Sequence, residues 1–194
     1  FINGKAQKIA SYPKEGHITL GKVIDPGSRP MKGDFSLRGG IFGYDGERGD
    51  KWVGAEDAYV SGFFSNCYAD DTIKIEKINP EDKTIKLAMP ALGSLVPNSE
   101  HRWKIVNLLE EVSDEGEYYI DRKNRKLYFY PDCDIENAQI QLSVLTSPML
   151  SFIGAENIKF EGITFEEPTA GVLFATTISF PSSSYSTSSS YSST

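Results

Sequence analysis

The feature that most constrains this chain is a two-residue alternation of apolar and polar side chains, broken by turn residues. Thr72-Ile-Lys-Ile-Glu-Lys-Ile78 and Thr84-Ile-Lys-Leu-Ala-Met89 flank Asn79-Pro-Glu-Asp-Lys83. Successive side chains on a strand point to opposite faces, so Ile73 and Ile75 share one face and Lys74 and Glu76 the other. Ile85, Leu87 and Met89 repeat the pattern, and the proline-containing loop makes the pair a predicted β-hairpin. Lys86 and Glu76 would meet across its wet face, worth at most a few tenths of a kcal/mol. A second hairpin is predicted from Glu117-Tyr-Tyr-Ile-Asp121 and Lys126-Leu-Tyr-Phe-Tyr130 around Arg122-Lys-Asn-Arg125. Asn124 tolerates a left-handed backbone and is expected to carry that turn, and Pro131 ends the second strand. Helical periodicity is nearly absent. The one short candidate is Lys104 to Val112, where Val106, Leu109 and Val112 form a stripe at three-residue spacing, although Leu108-Leu-Glu-Glu111 reads equally as extended.

From Ala138 onward the runs shorten. Ile140–Val144, Met149–Ile153, Asn157–Phe160, Ile163–Phe165 and Gly171–Phe174 are brief β segments separated by Gly, Asn, Pro and Glu. Strands this short gain stability by stacking coil on coil, as in a solenoid. In Asn157-Ile-Lys-Phe-Glu-Gly-Ile-Thr-Phe165, the residues Ile158, Phe160, Ile163 and Phe165 are expected to point inward, with Glu161-Gly162 at the bend. The fold expected is therefore all-β: a hairpin-rich inserted β domain followed by the start of a right-handed parallel β-helix.

Composition narrows the function. With 20 Lys and Arg against 27 Asp and Glu, the 194-residue chain carries a formal charge of −7, which counts against a general nucleic-acid binder. Ala170 to Phe180, the longest mainly apolar run, is about half of the roughly 20 residues a membrane helix needs, so no membrane span is expected. Aromatic residues make up 12 % of the chain, enough apolar surface to argue against disorder over most of it. The exception is Pro181 to Thr194, an uncharged Ser-rich tail that composition alone allows to be a linker or an O-glycosylated stretch. The chain starts at Phe1-Ile-Asn-Gly4, with neither initiator Met nor signal peptide, and reads as the end of a strand entering a turn: the expectation is a cut edge, either a processed product or part of something longer. Cys67 and Cys133 allow one disulfide or two free thiols.

Asn3-Gly-Lys-Ala-Gln-Lys-Ile-Ala-Ser-Tyr-Pro13 resembles the segment by which β-helix carbohydrate-active proteins leave the helix for an inserted domain. Lys51-Trp52 and Asp57-Ala-Tyr-Val-Ser-Gly-Phe-Phe64 resemble the middle of that insertion. Asn107–Glu111, Glu115–Arg122 and Leu127–Pro131 resemble its closing strands. Over Phe1 to Phe165 the chain is similar to the insertion domain of glycoside hydrolase family 141 and related right-handed β-helix proteins. It departs from the pattern at Phe64, Tyr68 and Tyr118, where Trp is usual, and at Arg125, where a hairpin Gly is usual. The resemblance implies a β-helix exit strand over 1–13, an inserted β domain over 14–137, parallel β-helix strands over 138–180, and the irregular tail over 181–194. It also implies an extracellular or periplasmic polysaccharide-processing parent, a glycosidase whose catalytic carboxylates lie outside this chain, with this segment shaping the groove.

Glycosidases need two carboxylates about 5 to 10 Å apart. The doublets Asp70-Asp71, Glu110-Glu111 and Glu166-Glu167 would point to opposite faces of a strand. Glu166 and Glu167, leaving the last rung strand, are the catalytic candidates, against a solvated loop. Trp52 and Trp103, accompanied by Tyr44 and Tyr59, are candidates for stacking on a polysaccharide or oligosaccharide, against core packing. Gly40-Ile-Phe-Gly-Tyr-Asp-Gly-Glu-Arg-Gly49 has Gly every third residue but no P-loop lysine; it is expected to be a flexible surface loop. Its Asp45, Glu47 and Asp50 are candidate oxygen ligands for Ca²⁺ outside any EF-hand spacing, and no other cofactor is implied. His17 and His101 sit in no metal or nucleophile motif. The competing function is a non-catalytic β-solenoid, a surface, adhesin or filament-forming protein, whose strands serve self-association.

Overall fold

The structure is a computed structural model that describes residues 1–67, 69–98 and 100–166, and the backbone alone of 173–176. It is all-β, with helical geometry confined to four short 3-10 turns and no helix long and apolar enough to cross a membrane among the described residues. The chain divides into two compact units, Gln7–Asp134, and Phe1–Ala6 together with Ile135–Thr194.

The larger unit is mainly antiparallel. Its strands in chain order are β1 (Lys8–Ile9), β2 (Ser11–Tyr12), β3 (Ile18–Thr19), β4 (Val23–Asp25), β5 (Ile41–Gly43), β6 (Tyr59–Phe63), β7 (Asp71–Asn79), β8 (Thr84–Leu87), β9 (Arg102–Val106), β10 (Glu117–Asp121) and β11 (Lys126–Phe129). One sheet runs β2-β9-β6-β7-β8-β5-β4, with β3 also on β9; a second runs β1-β10-β11, with β1 parallel to β10. Both predicted hairpins form, as β7–β8 and β10–β11.

Strand β7 explains how the large sheet bends. Its first half pairs with β6, its second half with β8, and the register slips between Ile75 and Lys77. A bulge there resets the alternation, so Ile73, Ile75 and Ile78 all reach the interior although their spacing changes from two to three. Met89, expected on the same face as Ile85 and Leu87, lies past the end of β8 and is 45 % exposed. The Lys86–Glu76 pair forms at 2.6 Å on the wet face as expected.

The sheet curls far enough for β5 to meet β9, four strands away. Phe42 packs edge-on against Trp103 with ring centres 5.1 Å apart, and against Phe64 at 6.4 Å. Val60, Ile85, Leu87, Ile105, Leu95 and Leu108 complete an interior of fully buried side chains. Backbones approach closely at Gly39, where a Cβ would stand 1.8 Å from the Leu87 carbonyl oxygen.

The glycine-rich segment is not a free loop. Gly43 ends β5, and Gly49 lies so close under the Tyr44 ring that a Cβ there would stand 2.1 Å from a ring carbon. Packing of Tyr44 and Trp52 holds Tyr44 and Gly49 in the core while residues 45–48 stay exposed, which periodicity of glycine alone cannot reveal. The helical candidate at Lys104–Val112 is likewise corrected: it is the end of β9 followed by a 3-10 turn at Leu109–Glu111. The β10–β11 turn also differs, for Arg125 takes the left-handed backbone (φ +55°), while Asn124 donates its backbone and side-chain N–H groups to Asp121.

Between β4 and β5, the loop turns through a 3-10 turn at Pro30–Lys32 and places Leu37 at φ +56°. A left-handed leucine costs about 1–2 kcal/mol, and its side chain, 54 % exposed, offsets little of this by burial.

In the smaller unit, Phe1–Asn3 lies antiparallel to Gln139–Gln141. Asn3 donates its N–H to the Gln139 carbonyl and accepts the Gln139 N–H on Oδ1, both at 2.9 Å. The Gln141 N–H reaches the Phe1 carbonyl at 3.0 Å. Strands β12 (Leu150–Ile153) and β13 (Leu173–Thr176) are parallel, with Leu150 opposite Leu173 and Ile153 opposite Thr176. Other rung strands expected do not form: Ile140 makes a single bridge to Ile2, while Asn157–Phe160 and Ile163–Phe165 carry no strand. Ile158 and Ile163, expected inward, are more than half exposed, whereas Phe160 keeps ring contacts with Phe152 (5.9 Å) and Phe165 (5.7 Å). The Ser-rich tail lies outside the described residues, as do Gly171 and Val172.

Candidate functional site

A cleft of about 230 Å³ opens on the larger unit. Three elements make it: the segment Gly54–Asp57, the 3-10 turn carrying Leu109 and Glu110, and the β10–β11 hairpin with Tyr119, Asp121, Lys123 and Asn124. These come from positions up to about 70 residues apart, and one buried residue joins them. Asn107, with φ +62°, donates from Nδ2 to the carbonyls of Asp57 (2.9 Å) and Ile120 (3.1 Å), and its Oδ1 accepts the Ile120 N–H (3.0 Å). Its amide meets three backbone groups that no strand partner serves, which is what buried backbone groups require.

Tyr119 lies half-buried in the cleft beside Tyr128, ring centres 5.8 Å apart. Burial first, then the negative charges of Asp121, Asp57, Glu110 and Glu56, raise its pKa and keep the phenol protonated as a donor. Asp57 is held by Lys74 (3.2 Å) and Arg122, and Arg122 also lies over the Tyr59 ring at 5.7 Å. Burial works against ionisation of Asp57, but hydrogen bonds from Arg122 and Lys74 outweigh it and lower its pKa. Glu56 pairs with Lys123 at 2.7 Å, exposed on both sides and so worth little. The cleft thus offers carboxylate acceptors, one ammonium, one phenol donor and an aromatic ring: hydrogen-bonding groups suited to a polyhydroxylated ligand.

Beneath the turn at Leu109–Glu111 lies an ionic cluster around two buried carboxylates. Glu111, fully buried, accepts two bonds from Arg48, at 3.0 Å from Nε and 2.6 Å from the terminal nitrogen, and one from Trp52 Nε1 at 2.8 Å. Lys14 donates to the Glu111 carbonyl and to both oxygens of Glu117, at 2.8 and 2.7 Å. Glu117 also accepts the N–H groups of Ser113 and Asp114, at 3.0 and 3.1 Å. Burial opposes the Glu117 charge, but Lys14 and the two backbone donors together lower its pKa. Because the folded pKa is depressed, this contribution to stability is present above the unfolded value, about 4.3, and is lost as pH falls through the folded value. Thermal melting of the chain from pH 6 downward, through about pH 4, is expected to show a falling Tm whose slope flattens in Glu117→Gln.

The sequence candidates fall elsewhere. Trp52 and Trp103 are 2 % and 1 % exposed. Sugar stacking needs an open ring face, which neither offers: Trp52 packs on Tyr12 and Tyr44 and donates to Glu111, and Trp103 packs on Phe42. Tyr44 is buried too. Glu166 is exposed, and Glu167 lies outside the described residues. Asp45, Glu47 and Asp50 are exposed and join no group of three potential metal ligands among the described residues. His101 is buried with Nδ1 against the Val96 carbonyl at 2.6 Å, and His17 lies against Phe63. Cys67 and Cys133 are both free and exposed. The cleft residues went unnoticed because each reads singly as a hairpin or loop position. Only Glu110, in a carboxylate doublet, gave a signal, and its neighbour Glu111 proved to be the interior member.

No family model matches this sequence, and neither does any curated protein. A solved structure described as a glycoside hydrolase is similar to it, at 14 % identity and a TM-score of 0.44. The match covers 68 % of this chain and 23 % of that one, so the chain spans about a quarter of that protein's length.

Proposed function

We propose that this chain is part of a polysaccharide-processing protein working outside the cytoplasm, a glycosidase of β-helix architecture. Gln7–Asp134 is the inserted domain that shapes the glycan groove. The observation that carries the reading is how the larger unit is strung on the smaller one. Phe1–Asn3 and Gln139–Gln141 are hydrogen-bonded neighbours, so the chain leaves and rejoins one unit at adjacent positions. Beyond that junction, β12 and β13 pair in parallel at a constant offset of 23 residues, from Leu150 to Leu173 and from Ile153 to Thr176. Parallel pairing at this offset supports one coil stacked on the next, and Phe160 meets both Phe152 and Phe165. This supports the family 141-like arrangement that the sequence resembles, with the main catalytic carboxylates on other coils.

The cleft at Tyr119 would then contact the glycan. The full-length protein, screened against a panel of polysaccharides, is expected to bind and cleave at least one of them. Tyr119→Ala and Glu110→Gln are expected to weaken binding about five- to tenfold, the value of one or two hydrogen bonds, with cleavage of saturating substrate little changed. Binding to no glycan, with self-association instead, would favour the non-catalytic solenoid.

A further inference from the structure

We propose that the loop between β4 and β5 is a membrane-surface anchor, which inserts apolar side chains among anionic lipid headgroups. All eight residues from Met31 to Arg38 are exposed. Three are large and apolar: Met31 at 55 %, Phe35 at 72 % and Leu37 at 54 %. Leu92, 53 % exposed, joins them from the loop after β8, where its carbonyl accepts the Met31 N–H at 3.2 Å. Four large apolar side chains therefore project from two loops bonded to each other, away from the core that the same unit builds efficiently elsewhere.

The loop is held in this form. Ser28 and Arg38 exchange bonds across its neck, the Ser28 N–H to the Arg38 carbonyl at 2.9 Å and the Arg38 N–H to Ser28 Oγ at 3.1 Å. Arg38 also pairs with Asp25. The neck is fastened to the interior through Ser94 Oγ and the Leu95 N–H, both donating to the Pro26 carbonyl, at 2.8 and 3.0 Å. At the tip, Leu37 keeps a left-handed backbone that glycine or asparagine would adopt without the same strain. A strained apolar residue facing water is a cost without a return in the isolated chain, which is the kind of outlier that points to a binding role.

Charge selects the partner. Between Pro26 and Gly40 the loop carries Arg29, Lys32 and Arg38 against Asp34, net +2, on a chain whose formal charge is −7. Arg38 is engaged by Asp25, while Arg29 and Lys32 flank Met31 and form no ion pair among the described residues. Phe, Leu and Met at a projecting tip, with Arg and Lys beside them, match the boundary between acyl chains and phosphate headgroups. A protein partner would instead need a pocket shaped to a convex tip. A fluid bilayer accommodates it without one. The anchor would hold a glycan-processing domain at an envelope surface, but it does not depend on that role.

The test is flotation of the full chain with phosphatidylcholine vesicles, with and without phosphatidylglycerol. Binding is expected to the phosphatidylglycerol vesicles and to weaken with added salt. Met31→Ser with Phe35→Ser is expected to lower the partition coefficient at least about tenfold, and Arg29→Gln with Lys32→Gln to remove the preference for anionic vesicles. Leu37→Gly is expected to raise Tm while lowering partition, a pairing of effects that a purely structural loop would not give. No binding to either vesicle would overturn the proposal. So would binding indifferent to Met31 and Phe35, or self-association that the serine pair abolishes without any vesicle effect. All the substituted side chains are exposed, so unchanged circular dichroism is the control for folding.

Discussion

Glu111→Ala is expected to lower the stability of the larger unit by about 3 kcal/mol, with a drop in Tm of roughly 10 °C. Glu111 has no exposed surface and is the common acceptor for both Arg48 nitrogens and for Trp52 Nε1. Truncation leaves the indole N–H without an acceptor in the interior, a cost of about 1–3 kcal/mol, and opens a cavity beside it. The guanidinium adds less, because the Arg48 side chain is 42 % exposed and regains water when its partner goes. Arg48→Met, which leaves the fully buried Glu111 carboxylate without its cation, is expected to cost at least as much as Glu111→Ala, and the double variant Arg48→Met with Glu111→Ala less than the sum. Urea unfolding of the four proteins measures this coupling, and a Glu111→Ala loss below about 1 kcal/mol would sink the account. The effect should reach the cleft as well. Leu109 and Glu110 sit on the turn that Glu111 holds down, so under the proposed groove role any glycan affinity of the full-length protein should fall alongside stability.

Trp103 is the second sensitive position. Trp103→Ala is expected to cost about 4 kcal/mol, since a fully buried ring meeting Phe42 edge-on would leave a large void in the middle of the curled sheet. The indole carries a penalty of its own: Nε1 is buried with no hydrogen-bond partner among the described residues. Trp103→Phe removes that N–H while keeping most of the ring, and is expected to cost under about 1.5 kcal/mol. Equal losses for Ala and Phe would show that the N–H is satisfied after all. Neither variant is expected to change glycan affinity, as the ring presents no face to solvent. A loss of affinity in the stably folded Trp103→Phe protein would return this residue to the sugar-binding surface.

The hairpins were legible because alternation over four or more residues is a local property, and Ile73, Ile75, Ile85 and Leu87 state it plainly. What could not be read was how the sheet bends. The bulge at Ile75–Lys77 moves Ile78 inward against the simple pattern, and it reflects packing across the sheet rather than a residue preference. Trp52 and Trp103 illustrate a second limit. An indole beside a charged neighbour suggests a binding surface, yet Arg102 takes the opposite, exposed face of β9 and Lys51 the exposed side of a 3-10 turn at Arg48–Trp52. The cleft was invisible for a third reason: Asn107, its organising residue, acts through backbone carbonyls and an N–H, which leave no trace in side-chain spacing.

The first strands have a consequence for how the chain acquires its structure. Strands β1, β2 and β3 pair with β9 and β10, across separations of 83 to 109 residues, from Thr19–Arg102 to Lys8–Glu117. On a growing polypeptide these opening segments have no partner until nearly the whole larger unit has been made. The β6–β7–β8 meander, by contrast, is complete within Tyr59–Leu87 and can form as soon as it is free to do so. Assembly should therefore begin in the middle of the chain and close last at its opening residues, which must stay extended and unpaired until the distant strands arrive.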